Sequence, residues 1–187
     1  MKQVKLLFLM MTLLVSVAAN AQEFFDGDDE FVYQILSENT VSLYNGTPAS
    51  GDVVIPSKIS HNGVDYTVTE IGDYAFYECT TMKSITIPTS ITSMGEYAFL
   101  HCDNLESVYI SDLAAWCNIA FTSTADSNPL CYASHLYVNG EEVKDLVIPD
   151  GVQSIGKCAF WFFKGLQSVA IPNSVKEIGE FAFTNCI

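Results

Sequence analysis

The chain has 187 residues, 49% hydrophobic, 12% aromatic and 16% charged, with a formal net charge of −14. Low charge with high apolar content excludes a disordered chain. Its eight cations are all Lys, and an acidic surface without Arg repels phosphate, which excludes a nucleic-acid binder.

Residues 1–5 form a short basic start, residues 6–18 an apolar run, and Ala19-Asn20-Ala21 a small-x-small site. These are the parts of a secretory signal peptide covering 1–21. The apolar run is too short to span a bilayer, which takes about 20 residues. Gln22 follows the site, so no lipid-attachment Cys stands there. The expectation is an exported protein with no membrane span.

Residues 22–66 read as an N-terminal β cap. Phe31-Val32-Tyr33-Gln34-Ile35-Leu36 and Asn39-Thr40-Val41-Ser42-Leu43 alternate like paired strands, and Asn45-Gly46 is a turn dipeptide. Val53-Val54-Ile55-Pro56 reads as the first repeat strand, and residues 61–66 as a hairpin-like excursion. The acidic cluster Asp26-Gly27-Asp28-Asp29-Glu30 lacks the spacing of a calcium loop and reads as a solvated run.

From residue 67 a period of 23 takes over. Ile71-Gly72-Asp73-Tyr74-Ala75-Phe76 recurs as Met94-Gly95-Glu96-Tyr97-Ala98-Phe99, Ile155-Gly156-Lys157-Cys158-Ala159-Phe160 and Ile178-Gly179-Glu180-Phe181-Ala182-Phe183. Between these come alternating pairs (Ile85/Ile87, Val108/Ile110, Leu146/Ile148, Val169/Ile171), three of them followed by Pro. The alternation predicts short strands with one buried face, ended by a residue with no backbone donor. Gly is expected to supply positive φ, and Asp-Tyr-Ala-Phe one helical turn with Ala and Phe inward. Stacked repeats bury what one repeat cannot, so the expected fold is a solenoid of short parallel strands and helical turns.

An insertion at about 111–144 interrupts the period. Ser111-Asp112 caps a short predicted helix, and Asn128-Pro129 ends the next loop. Residues 136–143 read as a hairpin turning at Asn139-Gly140. Either the insertion protrudes to recognise something, or it fills the solenoid with Trp116 and Phe121 as core; the second is expected. The sequence stops at Cys186-Ile187, midway through a repeat. Either the last turn is open, or the chain is a fragment of a longer repeat protein. The fragment is expected, because repeat proteins need terminal caps.

The pattern Ile-Gly-x-x-Ala-Phe-x-x-Cys-x-x-Leu-x-x-Ile-x-Ile-Pro-x-x-Val, over about residues 50–187, resembles the BspA-like leucine-rich repeats. The resemblance implies a leucine-rich-repeat fold on a bacterial surface protein. It also implies adhesion to host matrix proteins or to other cells, and it carries over no catalytic residue.

Cys79, Cys102 and Cys186 share one repeat position with Phe163, which makes it an inward apolar site and the thiols a free, buried ladder. Cys117 and Cys131 flank the insertion loop and are the best candidates for a disulfide. With no Cys-x-x-Cys, and with His61, His101 and His135 in no shared motif, no metal, cofactor or catalytic site is expected. The candidate partner-binding residues are the outward ones of four strands, expected in rows: Ser84/Thr86, Ser107/Tyr109, Asp145/Val147 and Ser168/Ala170. Tyr109 is preferred, for its area and its hydroxyl. Phe162, where other repeats carry Glu78 and His101, reads either as an exposed aromatic that anchors a partner or as a ring packed against a next repeat or the insertion. The function expected is a non-enzymatic recognition module binding a protein or cell-surface ligand. The alternative is a structural spacer.

Overall fold

A computed structural model describes residues 22–25, 31–46, 49–122 and 125–186. The expected signal peptide and the acidic run 26–30 lie outside them. Two rows of parallel strands enclose the core. One row is β4 (Ser50–Val54), β7 (Thr81–Thr86), β9 (Ser107–Ile110) and β11 (His135–Val138). The other is β3 (Thr40–Asn45), β6 (Val64–Ile71), β8 (Ser93–Met94) and β10 (Ala120–Phe121). Two further parallel pairs follow: β13 (Asp145–Val147) with β15 (Ser168–Ala170), and β14 (Ser154–Ile155) with β16 (Glu177–Ile178). Every second residue points inward, so Ile85, Val108, Leu136 and Leu146 are buried in one continuous core. The molecule is a solenoid of stacked coils with short parallel strands.

The segments from Gly72, Gly95, Gly156 and Gly179 connect the rows, and here the expected helical turn gives way to a series of tighter turns. The N–H groups of Ala75, Tyr77 and Cys79 donate to carbonyls three residues back, at 3.0–3.3 Å. Those of Tyr74, Phe76 and Glu78 donate instead to Glu96, Ala98 and Leu100 of the next coil, at 2.8–2.9 Å. Cys158, Phe160 and Phe162 repeat this toward Glu180, Ala182 and Thr184. Two residues per turn, such as Tyr74 and Glu78, take φ near 57° and break any helix. The Phe side chains stack between coils, Phe76 on Phe99 and Phe160 on Phe183, with centroids 5.3 Å apart in both pairs.

The conserved-looking Gly of the period has a different cause from the one expected. Positive φ falls on Tyr, Glu and their equivalents, and not on these four glycines. A Cβ on Gly95 would lie 2.5 Å from the Asp73 nitrogen and 2.7 Å from the Gly72 carbonyl carbon. A Cβ on Gly156 would meet the carbonyl oxygens of Ile119 and Cys117 at 2.9 and 3.0 Å. Gly is required because the preceding coil passes too close for a side chain.

None of the six cysteines is in a disulfide, so the Cys117–Cys131 pair considered from sequence is not bonded. Cys79 and Cys102 are buried, and Cys186 is half-buried. Cys102 Sγ donates to the Phe76 carbonyl at 3.2 Å and Cys186 Sγ to that of Phe160 at 2.9 Å. The ladder position thus offers apolar volume and a weak donor for the coil before it. Burial pushes the thiols of Cys102 and Cys117 up to about 12. The unfolded chain ionises its thiols near pH 8.5 while these two stay protonated in the native state. Their contribution is therefore fully present below that pH and falls as pH rises toward 12. The urea midpoint is expected to drop between pH 8 and pH 10.5, and Cys102→Ala is expected to flatten that drop.

The N-terminal strands β1 (Glu23–Phe25), β2 (Val32–Ile35) and β3 pair antiparallel, and β3 then joins β6 in parallel. β5 (Lys58–His61) forms a hairpin with β6, turning at Asn62 and Gly63 (φ 52° and 78°). Helix α1 (Leu113–Cys117) is capped by Asp112, whose carboxylate accepts from the N–H groups of Ala114 and Ala115. Trp116 and Phe121 lie in the core with ring centroids 5.4 Å apart. The irregular segment also serves as a bonding surface for both neighbouring coils. Phe99 N–H donates to Asp126 at 2.9 Å, and Gly156 N–H to Cys117 at 2.8 Å. Trp116 Nε1 and Asn128 Nδ2 both donate to the Ala159 carbonyl, at 2.9 and 3.0 Å.

Candidate recognition face

The outward residues of β4, β7, β9 and β11 form two rows. In-register pairing aligns Asp52, Ser84, Ser107 and His135 in one, and Val54, Thr86, Tyr109 and Tyr137 in the other. The first row is largely occupied with itself. Ser84 is buried, and its hydroxyl donates to Asp52 Oδ1 at 2.7 Å. It therefore offers little to a partner, contrary to its reading as an accessible outward residue. His135 Nδ1 lies 2.6 Å from Glu142 Oε1, and Lys144 Nζ lies 3.2 Å from the other oxygen. These two partners, His135 foremost, hold the Glu142 carboxyl below the usual carboxylate range.

The second row is the open one. Val54 is 64% exposed, and Thr86, Tyr109 and Tyr137 are half-buried. The rings of Tyr109 and Tyr137 stack with centroids 4.7 Å apart and planes 14° from parallel. Each ring fixes the other, giving a stiff apolar platform edged by two hydroxyls. β12 (Glu141–Glu142) borders the platform and sets Glu142 opposite Tyr137.

The four expected strand pairs do not form one set of rows. Asp145, Val147, Ser168 and Ala170 belong to the separate β13–β15 sheet, because β11 and β12 intervene in the chain. There the Ser–Asp pairing recurs: Ser168 Oγ donates to Asp145 Oδ1 at 2.5 Å, and Val147 is 65% exposed. Phe162 lies apart from both sheets, on the turn side. It is half-buried rather than exposed, and it stacks on Trp161 at 5.8 Å. Trp161 in turn stacks on Phe181 at 5.1 Å. Sequence reasoning missed His135 and Tyr137. Their signal was the match of His135-Leu136-Tyr137 to Ser107-Val108-Tyr109, masked by the strong hairpin signature after it.

Among the described residues, no group of three or more His, Cys, Asp or Glu is placed to hold a metal ion. No helix among them is long and apolar enough to cross a membrane.

No curated protein matches the chain in sequence. Among solved structures it is similar to a leucine rich cell surface protein from Faecalibacterium prausnitzii, with 25% identity and a TM-score of 0.55, covering 89% of this chain and 47% of that one. It is also similar to the leucine rich repeat protein of T. pallidum, with 24% identity and a TM-score of 0.49, covering 83% of this chain and 64% of that one. The chain thus spans about half of the first and less than two thirds of the second. The family model described as BspA type leucine rich repeat region matches residues 56–129 and 132–187, in six copies. Its repeats cover most of the coils described above, and the chain belongs to the BspA-type leucine-rich repeat family.

Proposed function

We propose that the chain is a non-enzymatic, exported recognition module of the cell surface that adheres to a protein on a host or on another cell. The single observation that carries this reading is the Tyr109–Tyr137 stack beside Thr86 and Val54, on a face four parallel strands wide. Solenoids use such extended faces to bind, and paired aromatics anchor partners at small entropic cost. The similarity to a protein named as a cell surface protein supports the location. The acidic charge favours a basic or neutral ligand, with salt-sensitive binding if it is basic.

The test is retention of the full chain on immobilised extracellular-matrix proteins and on intact bacterial cells. Changing both Tyr109 and Tyr137 to Ser is expected to weaken binding by about ten-fold or more, the scale of a central aromatic anchor. Equal binding by the double variant would remove the strand face from the reading. Binding to no surface above background would favour the spacer.

A further inference from the structure

A second aromatic cluster lies on the turn side, where the N-terminal strands meet the first regular turn. Tyr44, at the end of β3, and Tyr74, in the turn beside it, are 42% and 51% exposed. With Tyr77 they line a cleft whose other walls are Asn45, Asp73 and Glu78. Backbone bonds across the junction hold it together: Gly46 N–H donates to Ala75 at 2.7 Å and Gly72 N–H to Leu43 at 2.8 Å. Tyr74 and Tyr77 meet edge to face, with centroids 6.0 Å apart and planes at 77°, so their rings form a corner. Tyr97 stacks on Tyr74 at 5.3 Å and backs it.

The charges of this corner are all of one sign. Asp73 and Glu78 are exposed carboxylates, and no Lys lines the cleft. Asp73 is fixed by the Glu96 N–H, which donates to its Oδ1 at 2.6 Å. The Glu78 carboxylate next to Tyr77 pushes its hydroxyl above the ordinary tyrosine range, by hydrogen bonding first and by charge second. An aromatic face carries negative potential, and carboxylates beside it add to that potential. The equivalent turn further along the chain has Cys158, Trp161 and Phe162 in the places of Tyr74, Tyr77 and Glu78. It is aromatic too, but it has no carboxylate there.

We propose that the Tyr44–Tyr74–Tyr77 corner, closed by Asp73 and Glu78, is a binding site for a weakly hydrated organic cation, a quaternary ammonium or guanidinium head group. Desolvation of such a cation is cheap, its face-on contact with tyrosine is favourable, and the carboxylates supply the opposite charge. The site lies on the turn side, apart from the strand face, and does not depend on the reading given to that face.

The experiment is a titration of the full chain at constant ionic strength, followed by the ring resonances of its tyrosines in NMR. Three probes are compared: choline, its neutral isostere 3,3-dimethylbutan-1-ol, and arginine amide. Saturable shifts at Tyr44, Tyr74 and Tyr77 are expected with at least one cation, with Kd on the order of 1–10 mM, and not with the neutral isostere. Tighter binding of choline identifies a quaternary head group as the source. Tighter binding of arginine amide identifies a basic protein segment. Tyr44→Leu, which keeps apolar area on a strand, and Glu78→Gln are each expected to weaken binding by about three- to five-fold. Tyr109→Ser is expected to leave it unchanged. Equal binding of the neutral isostere, or no saturable shift with either cation, would overturn the proposal.

Discussion

Asn128→Asp is expected to cost about 3–5 kcal/mol, nearly the whole margin of a small domain. Asn128 is fully buried. Its Nδ2 donates to the carbonyls of Cys158 and Ala159 at 2.8 and 3.0 Å, and its Oδ1 accepts the Leu130 N–H at 2.9 Å. In regular coils the Ala carbonyl of the turn accepts a backbone N–H from the coil before, as Ala98 does from Phe76 and Ala182 from Phe160. Among the described residues no backbone N–H of the irregular segment donates to Ala159, and the Asn128 amide and the Trp116 indole supply donors instead. A carboxylate cannot donate, and it would face two carbonyl oxygens in a dry interior. Its folded pKa would be raised above the unfolded value of about 3.9, so the charge part of the penalty is absent below that pH and grows as pH rises past it. Denaturant midpoints of the variant and the parent chain should therefore converge toward pH 4 and diverge at pH 7. A constant gap across that range would show that lost packing or a lost donor, rather than charge, sets the cost.

Gly95→Ala is expected to be nearly as damaging, about 3 kcal/mol or more, although it adds a single methyl group. That methyl would fall against the backbone of Asp73 and Gly72, which cannot rotate away as a side chain can. The two coils must separate, and separation loosens the donors of Tyr74, Phe76 and Glu78 together with the Phe76–Phe99 stack. Gly179→Ala makes the same kind of clash with Lys157 in the last described coil. Inward residues there, Val169, Ile171 and Ile178, are exposed, so less packing is lost. Thermal melts of the two variants are expected to rank Gly95→Ala well below Gly179→Ala. The reverse order would show that stacking strength is not greatest in the middle of the molecule.

What the sequence could show follows from how local each demand is. The period was legible because every regular coil imposes the same requirements on Gly, Ala and Phe. The Cys ladder was legible because Phe163 occupies the same place. The alternation of Ser84 and Thr86 indicates the side of a strand, but not that Asp52 stands in register across from Ser84. Asn128 was read as the end of a loop, since Asn-Pro says that locally, and its partners lie 30 residues further on. The cause of the Gly was misjudged for a related reason. Tight turns and close backbone approach select the same residue, and only the neighbouring coil distinguishes them.

The turn side also gives the solenoid a direction. Three inter-coil donors per turn point forward, Tyr74, Phe76 and Glu78 toward the following coil and Cys158, Phe160 and Phe162 likewise, against one, the opening Gly N–H, that points back. Phe181 and Asn185 take the same left-handed backbone, with φ 58° at both, which carries the orientation into the last described coil. Parallel strands alternate their donors from side to side, so only the turns contribute a net vector along the stack. The stack thus has an amide direction, toward higher residue numbers, and a carbonyl direction, toward lower ones. On the carbonyl side the first of these turns is already met, since Ala75 accepts the Gly46 N–H at 2.7 Å.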